Sequence, residues 1–389
     1  MEQHILTLIF VTLGVFVIPF LSPLVGLPVA VGELLYGVGL FYLFNNFHLS
    51  KAAVPIIDFL AFLGFSLLMF LAGLEIDWNK LETLNRKEKF VIATVVLSNF
   101  IFAFVAVELL RLPVETVLLL GSLGIGLMLS VVKELEIPTK VLQLILITGS
   151  LGEVTTLLGL TFYDLFLSFG WSKQFLLHTA LVALFGIFFV FLLKFLKLLV
   201  WYFPEKVAAL IRSENKAAID IRAIFALMLT FMAFTSLIHV EPFLGAFIAG
   251  ILFGFIFRDK EAVEHKLSAF GYGFLIPFFF IQVGFSFDLH CLENAEMLKT
   301  ALVLLISLYL IKLLSSFWFI FTDFSFRCIL LASFLFSFPF TILIAVAKIL
   351  HEKGVWNNFY LSVAILLTII SAIVFPYLSR LLVKKGKRA

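Results

Sequence analysis

Two charged residues stand where charge is hardest to keep. Glu153 lies near the centre of the apolar segment 139–167, in Thr148-Gly-Ser-Leu-Gly-Glu-Val-Thr-Thr-Leu-Leu-Gly159, and Lys312 is the one lysine well inside such a segment, in Tyr309-Leu-Ile-Lys-Leu-Leu-Ser-Ser316. At hydrocarbon depth such groups are expensive, and proton or ion paths are the usual reason for keeping them. A carboxylate away from water takes up a proton or a monovalent cation but gains little from holding both, which is the chemistry of exchange. Gly149, Gly152, Thr156 and Gly159 recur beside Glu153 at three- and four-residue steps, so one helix face is small and polar, and Thr156 is a candidate second cation ligand. Lys312 is the expected counter-charge of Glu153, or a second proton site. If it stays charged throughout, exchange at Glu153 is one-for-one; if it gives up a proton as the cation binds, two protons move per cation.

The elements that must position this pair are membrane helices. The chain is 62% hydrophobic and only 14% charged, which excludes a soluble domain. About thirteen spans can be drawn, at 4–22, 29–45, 56–75, 88–109, 113–133, 139–167, 175–203, 219–238, 242–258, 268–288, 296–320, 326–349 and 356–382. The alternation of an outer-membrane strand is absent, so an all-α polytopic protein is expected. The first span has no basic leader or cleavage site and reads as a retained helix. Between spans, one set of alternate connections holds 19 Lys and Arg and the other holds 5, which predicts an N-terminus outside and a cytoplasmic C-terminus. The net charge of +3 therefore reads as anchoring at the bilayer, with no nucleic acid as partner. The histidines show no metal-ligand spacing and no cofactor motif is present, so neither an enzyme nor a cofactor is expected. Cys291 and Cys328 fall on opposite sides, and no disulfide follows.

The chain also repeats itself. Gly73 and Asp77 at the end of the third span match Gly284 and Asp288 at the end of the tenth, 211 residues on, while Gly32 and Gly37 match Gly245 and Gly250, 213 residues on. The offset is seven spans, an odd number, so the second copy enters from the opposite side as an inverted repeat. Spans five and twelve are then partners. The first carries Gly121, Gly124 and Gly126 and the second Ser337-Phe338-Pro339, so both are expected to be discontinuous where they cross. The polar stretch around Glu214, Asn215 and Lys216 divides the halves, with 171–217 as linker.

On these residues the chain resembles the monovalent cation:proton antiporter superfamily, in its bacterial Na+/H+ antiporter and K+/H+ efflux branch. The pattern Val31-Gly-Glu-Leu-Leu-Tyr-Gly37, Leu71-Ala-Gly-Leu-Glu-Ile-Asp77, Leu244-Gly-Ala-Phe-Ile-Ala-Gly250 and Ile276-Pro-Phe-Phe-Phe-Ile-Gln-Val-Gly284 matches that branch in order and spacing. The resemblance implies a homodimer in a bacterial inner membrane. It implies a scaffold from 1–80 and 218–290, a moving core from 81–170 and 291–389, and alternating access. It places Glu153 at the ion-binding carboxylate and Lys312 at a core lysine found in some members. Two departures stand out: Gly152 replaces the acid or Asn that often precedes the carboxylate, and Ser122-Leu-Gly124-Ile-Gly126 replaces a Thr with Asp or Ser-Pro. With one acid at the centre, Lys312 is expected to pair with Glu153 itself.

The expected function is exchange of Na+ or K+ against H+. A channel or uniporter on the same fold needs a continuous polar path, which span five does not offer. An organic-solute transporter needs a bidentate cation for a carboxylate, and no Arg lies well inside a span.

Overall fold

The computed structural model describes residues 2–46, 54–74, 83–132, 135–202, 219–238, 240–256, 261–287, 293–322 and 324–386. The expectations for Asp77, Asp288, Cys291 and the 214–216 stretch fall outside them. All regular secondary structure among the described residues is helical, without a strand. In sequence order the helices are α1 Glu2–Leu24, α2 Val29–Asn46, α3 Val54–Leu74, α4 Arg86–Leu110, α5 Thr116–Leu120, α6 Gly126–Val132, α7 Thr139–Phe169 and α8 Lys173–Tyr202. They continue as α9 Ile219–Leu237, α10 Pro242–Ile256, α11 Glu261–Phe270, α12 Ile276–Phe285, α13 Ala295–Ser316, α14 Phe326–Phe336, α15 Phe340–Glu352 and α16 Asn358–Gly386. One π-helical turn, Gly271–Leu275, joins α11 to α12.

Among the described residues, seven helices are long and apolar enough to cross a membrane, with five shorter apolar helices besides. Large apolar side chains face outward: Phe16 is 68% exposed, Phe191 65% and Ile187 67%. Such a surface is stable only against lipid tails, and helices satisfy their backbone groups without help from that solvent. The chain is a multi-pass membrane protein.

Contacts divide the chain into two compact units, one of residues 1–55, 79–159 and 280–389 and the other of 56–78 and 160–279. The matched glycines pack in the same reciprocal way within each. In the first, a side chain on Gly37 would run into the Ile281 carbonyl, and one on Gly284 into the Leu34 carbonyl. In the second, Gly73 meets the Phe247 carbonyl and Gly250 the Phe70 carbonyl. Span two against span ten thus repeats as span nine against span three, as an inverted duplication requires. Backbones this close leave room only for hydrogen, the small-residue packing on which membrane helices rely.

Both expected breaks are present. Span five is two short helices, α5 and α6, separated by residues 121–125. Span twelve is α14 and α15, separated by residues 337–339. Pro339 forces the second, because it has no N–H to give and its ring excludes a helical carbonyl four residues back. The glycines of the first break have negative φ, so left-handed backbone is not what they supply. They permit close approach: a Cβ on Gly124 would lie 3.4 Å from Pro339, and one on Gly126 3.2 Å from Thr341. The breaks therefore cross at contact distance. An apolar cluster that includes Leu123, Ile125, Met128, Leu335, Phe336 and Phe338 surrounds the crossing. At the other end of α4, Asn85 and Glu88 form a capping box, and Glu88 pairs with Lys140 of α7 at 3.0 Å. That bridge brings the starts of α4 and α7 together, as required if α5 and α6 form a single crossing between them.

Gly37 and Gly39 provide an internal comparison, since a Cβ on Gly39 meets nothing within 4 Å. Gly37→Ala should destabilise by roughly 1–3 kcal/mol through overpacking, whereas Gly39→Ala should be neutral or gain up to ~1 kcal/mol. Thermal unfolding of the purified variants in detergent checks this, and equal melting temperatures would contradict the packing described.

Candidate functional site

Glu153 sits on the small face of α7 and is completely buried. That face exists because Gly149, Gly152 and Gly159 let the crossing segment lie against the helix: a Cβ on Gly149 would stand 2.6 Å from Ile125, and one on Gly159 3.1 Å from Leu118. The segment turns a backbone amide toward the acid, and Ile125 N–H donates to Glu153 Oε2 at 3.2 Å. The other oxygen, Oε1, is buried without a partner. An orphaned carboxyl oxygen away from water has lone pairs that a proton or a cation would satisfy. Thr156 is also fully buried; its hydroxyl donates to Gly152 O at 2.8 Å, which leaves its oxygen able to accept or coordinate. Among the described residues no group of three or more His, Cys, Asp or Glu side chains could hold a metal ion.

Lys312 projects from α13 and has no exposed surface. The expected pairing with Glu153 is not formed. Instead Nζ donates to Ser122 O at 2.6 Å, Leu120 O at 2.9 Å and Asn99 Oδ1 at 2.9 Å. The physical reason lies in the break. Interrupting span five frees carbonyls at the end of α5 and just beyond it, which carry partial negative charge and have neither water nor a next helical turn to pair with. Asn99 of α4 completes the arrangement, because its Nδ2 donates to Gly121 O while its Oδ1 accepts from Lys312. The ammonium thus rests on three neutral oxygens, two of them from the broken backbone.

Of the eight expected site residues, Glu153 and Thr156 lie on α7 and Lys312 on α13, while the other five shape the two breaks. Gly121, Gly124 and Gly126 shape the first break; its carbonyls hold Lys312, and its amide holds Glu153. Ser337 and Pro339 shape the second, where Ser337 Oγ donates to Ser333 O at 2.6 Å and no charge is engaged. Asn99 is a participant that the sequence analysis does not single out. Its signal was a single amide in the apolar run 90–107, whose other polar residues are Thr94 and Ser98, which is weak. Gly152 also acquires a reason: a Cβ there would collide with the side chain of Leu123, so the space for a second acid is filled by an apolar neighbour from the crossing. Lys348 bonds Gln282 Oε1 at 2.9 Å on the wall of a cavity of about 200 Å³ that His351 and Ser286 also line.

Residues 8–385 match the family model of the transmembrane sodium/hydrogen exchanger. The chain is 26% identical to YjbQ of Bacillus subtilis, a candidate Na+/H+ antiporter, over 96% of its own length, and it spans 63% of that relative's length. It is 26% identical to the Na+/H+ antiporter of Enterococcus hirae over 92% of this chain and 93% of the relative. The solved structure of the sodium proton antiporter MjNhaP1 of Methanocaldococcus jannaschii superposes with a TM-score of 0.67, covering 98% of this chain and 99% of that one at 16% identity, which is a likeness of fold.

Leu123 and Gly152 should behave as a coupled pair. Gly152→Ala overpacks the crossing, and Leu123→Ala leaves a cavity expected to cost about 2–5 kcal/mol. The double variant should lose less than the two single losses added together, by on the order of 0.5–3 kcal/mol. Strict additivity in detergent melting experiments would contradict the contact.

Proposed function

Because the chain belongs to the sodium/hydrogen exchanger family, we propose that it is a secondary antiporter that moves Na+ or K+ against H+, with Glu153 as the exchanging site. The observation that carries this reading is the buried Glu153 carboxyl, bonded on one oxygen by Ile125 N–H and open on the other. Protonated, the carboxyl is neutral and needs no cation. Once the proton leaves, the carboxylate holds a dehydrated monovalent cation, with the Thr156 oxygen and nearby backbone oxygens available to complete its shell. Proton and cation are alternative occupants of the same lone pairs, so binding of one displaces the other.

In this reading the site opens to one side of the membrane at a time. The moving core comprises 81–170 and 291–389, the scaffold 1–80 and 218–290, and the linker 171–217. A homodimer in a cytoplasmic membrane is part of the same proposal, as is an N-terminus outside, the orientation that the loop charges support. A channel is disfavoured, because Leu123 and Ile125 are 0% and 2% exposed and form a dry plug beside the carboxyl. Dry packing suits a carrier that shuttles a bound ion.

Purified protein in sealed vesicles with an imposed pH gradient gives the test. Addition of Na+ or K+ should move the internal pH, and the cation that does so identifies the substrate. Glu153→Gln keeps an oxygen for the Ile125 amide but cannot exchange a proton; it should fold normally and its cation-dependent flux should fall to that of empty vesicles. A Glu153→Gln protein with undiminished flux would remove Glu153 from its role.

A further inference from the structure

We propose that Asn99 is a positioning residue that fixes Lys312 as a permanent, non-exchanging ammonium, so that each turnover moves one proton against one monovalent cation without net charge. This rests on the antiport reading above and assigns its stoichiometry.

The argument begins with donor counting. An ammonium has three N–H groups and no lone pair, whereas a neutral amine has two N–H groups and one lone pair. Lys312 Nζ faces the Leu120 and Ser122 carbonyl oxygens and Asn99 Oδ1. The carbonyls have no hydrogen to give. The Asn99 amide could in principle present either end, but its Nδ2 donates to Gly121 O, which fixes Oδ1 toward the lysine. Turning the amide over would set an NH2 against Nζ and an oxygen against the Gly121 carbonyl. With Asn99 held this way, three acceptors meet three donors. A neutral amine would aim its lone pair at an oxygen.

Charge accounting follows from the same bonds. Lys312 and Glu153 use different atoms of the broken segment: carbonyls at 120 and 122 for the ammonium, the amide at 125 for the carboxyl. A cation reaching Glu153 has no lysine to displace. The site carries a protonated carboxyl on one leg of the cycle and a carboxylate with its cation on the other, and both are neutral. The fixed ammonium adds the same charge to each leg. No net charge crosses per cycle.

The test is the null point, the Na+ gradient at which net proton flux in vesicles stops for a fixed pH gradient. It is a thermodynamic quantity and does not depend on how much protein is folded or active. A thiocyanate diffusion potential sets the membrane voltage without adding K+. For the intact protein the null point should be the same at zero voltage and with 100 mV imposed. Exchange carrying one net charge would shift it about 50-fold per 100 mV, and that result overturns the proposal. Asn99→Ala removes the third acceptor and releases Lys312, so its null point should become voltage-sensitive, while Asn99→Ser, which still accepts, should keep the intact protein's behaviour. If both variants stay voltage-insensitive, Asn99 has no such role. Absence of any Na+- or K+-dependent flux in the intact protein ends the antiport reading and this inference with it, an outcome distinct from flux whose null point moves with voltage.

Discussion

A helix interrupted inside a membrane leaves backbone groups that neither water nor a next turn can satisfy, and the centre of this protein is arranged around that constraint. At residues 121–125 the freed carbonyls and amide are met by side chains of opposite charge. Lys312 takes the carbonyls of Leu120 and Ser122, and Glu153 takes the amide of Ile125. Each charge is stabilised by the end of the break whose partial charge it opposes. The two therefore need not neutralise one another directly. That separation leaves one carboxyl oxygen free for an exchanging ion.

Packing makes the arrangement stiff. The two broken spans cross where Gly124 and Gly126 meet Pro339 and Thr341, and α15 beyond the second break lies in a span 89% buried inside the protein. Lys312 reaches the crossing from α13 and Asn99 from α4, helices that pack directly on each other. A shift of the crossing segment would strain three of these bonds at once, those from Nζ to Leu120 O and Ser122 O and that from Asn99 Nδ2 to Gly121 O. The lysine and asparagine thus act as a clamp on the break, while the carboxyl, held by one bond of 3.2 Å, is the adjustable part.

Much of this was legible in the sequence, for reasons that particular residues make plain. Glu153 and Lys312 are charges in apolar runs, and such exceptions are visible against any background of Leu and Phe. Pro339 announces its break because proline cannot continue a helix, and the glycine clusters mark close approach. The partners of Lys312 were not legible. They are backbone carbonyls 190 and 192 residues away, and a carbonyl has no side chain to give it away. An acid was the only acceptor the sequence could nominate, so the expected pair was Lys312 with Glu153. Asn99 escaped for a related reason: an amide in a membrane helix has many ordinary uses, and only the fold shows it bridging Gly121 and Lys312. The meaning of Gly152 required the position of Leu123, which packs against it from the break in span five.

The central claim, one exchanging carboxyl beside one fixed ammonium, is tested most directly by counting protons released as the cation binds to purified protein in weakly buffered detergent. The account predicts one proton released per cation bound and none when Glu153 is replaced by Gln. Release of two protons per cation, the second of them abolished by replacing Lys312, would contradict it.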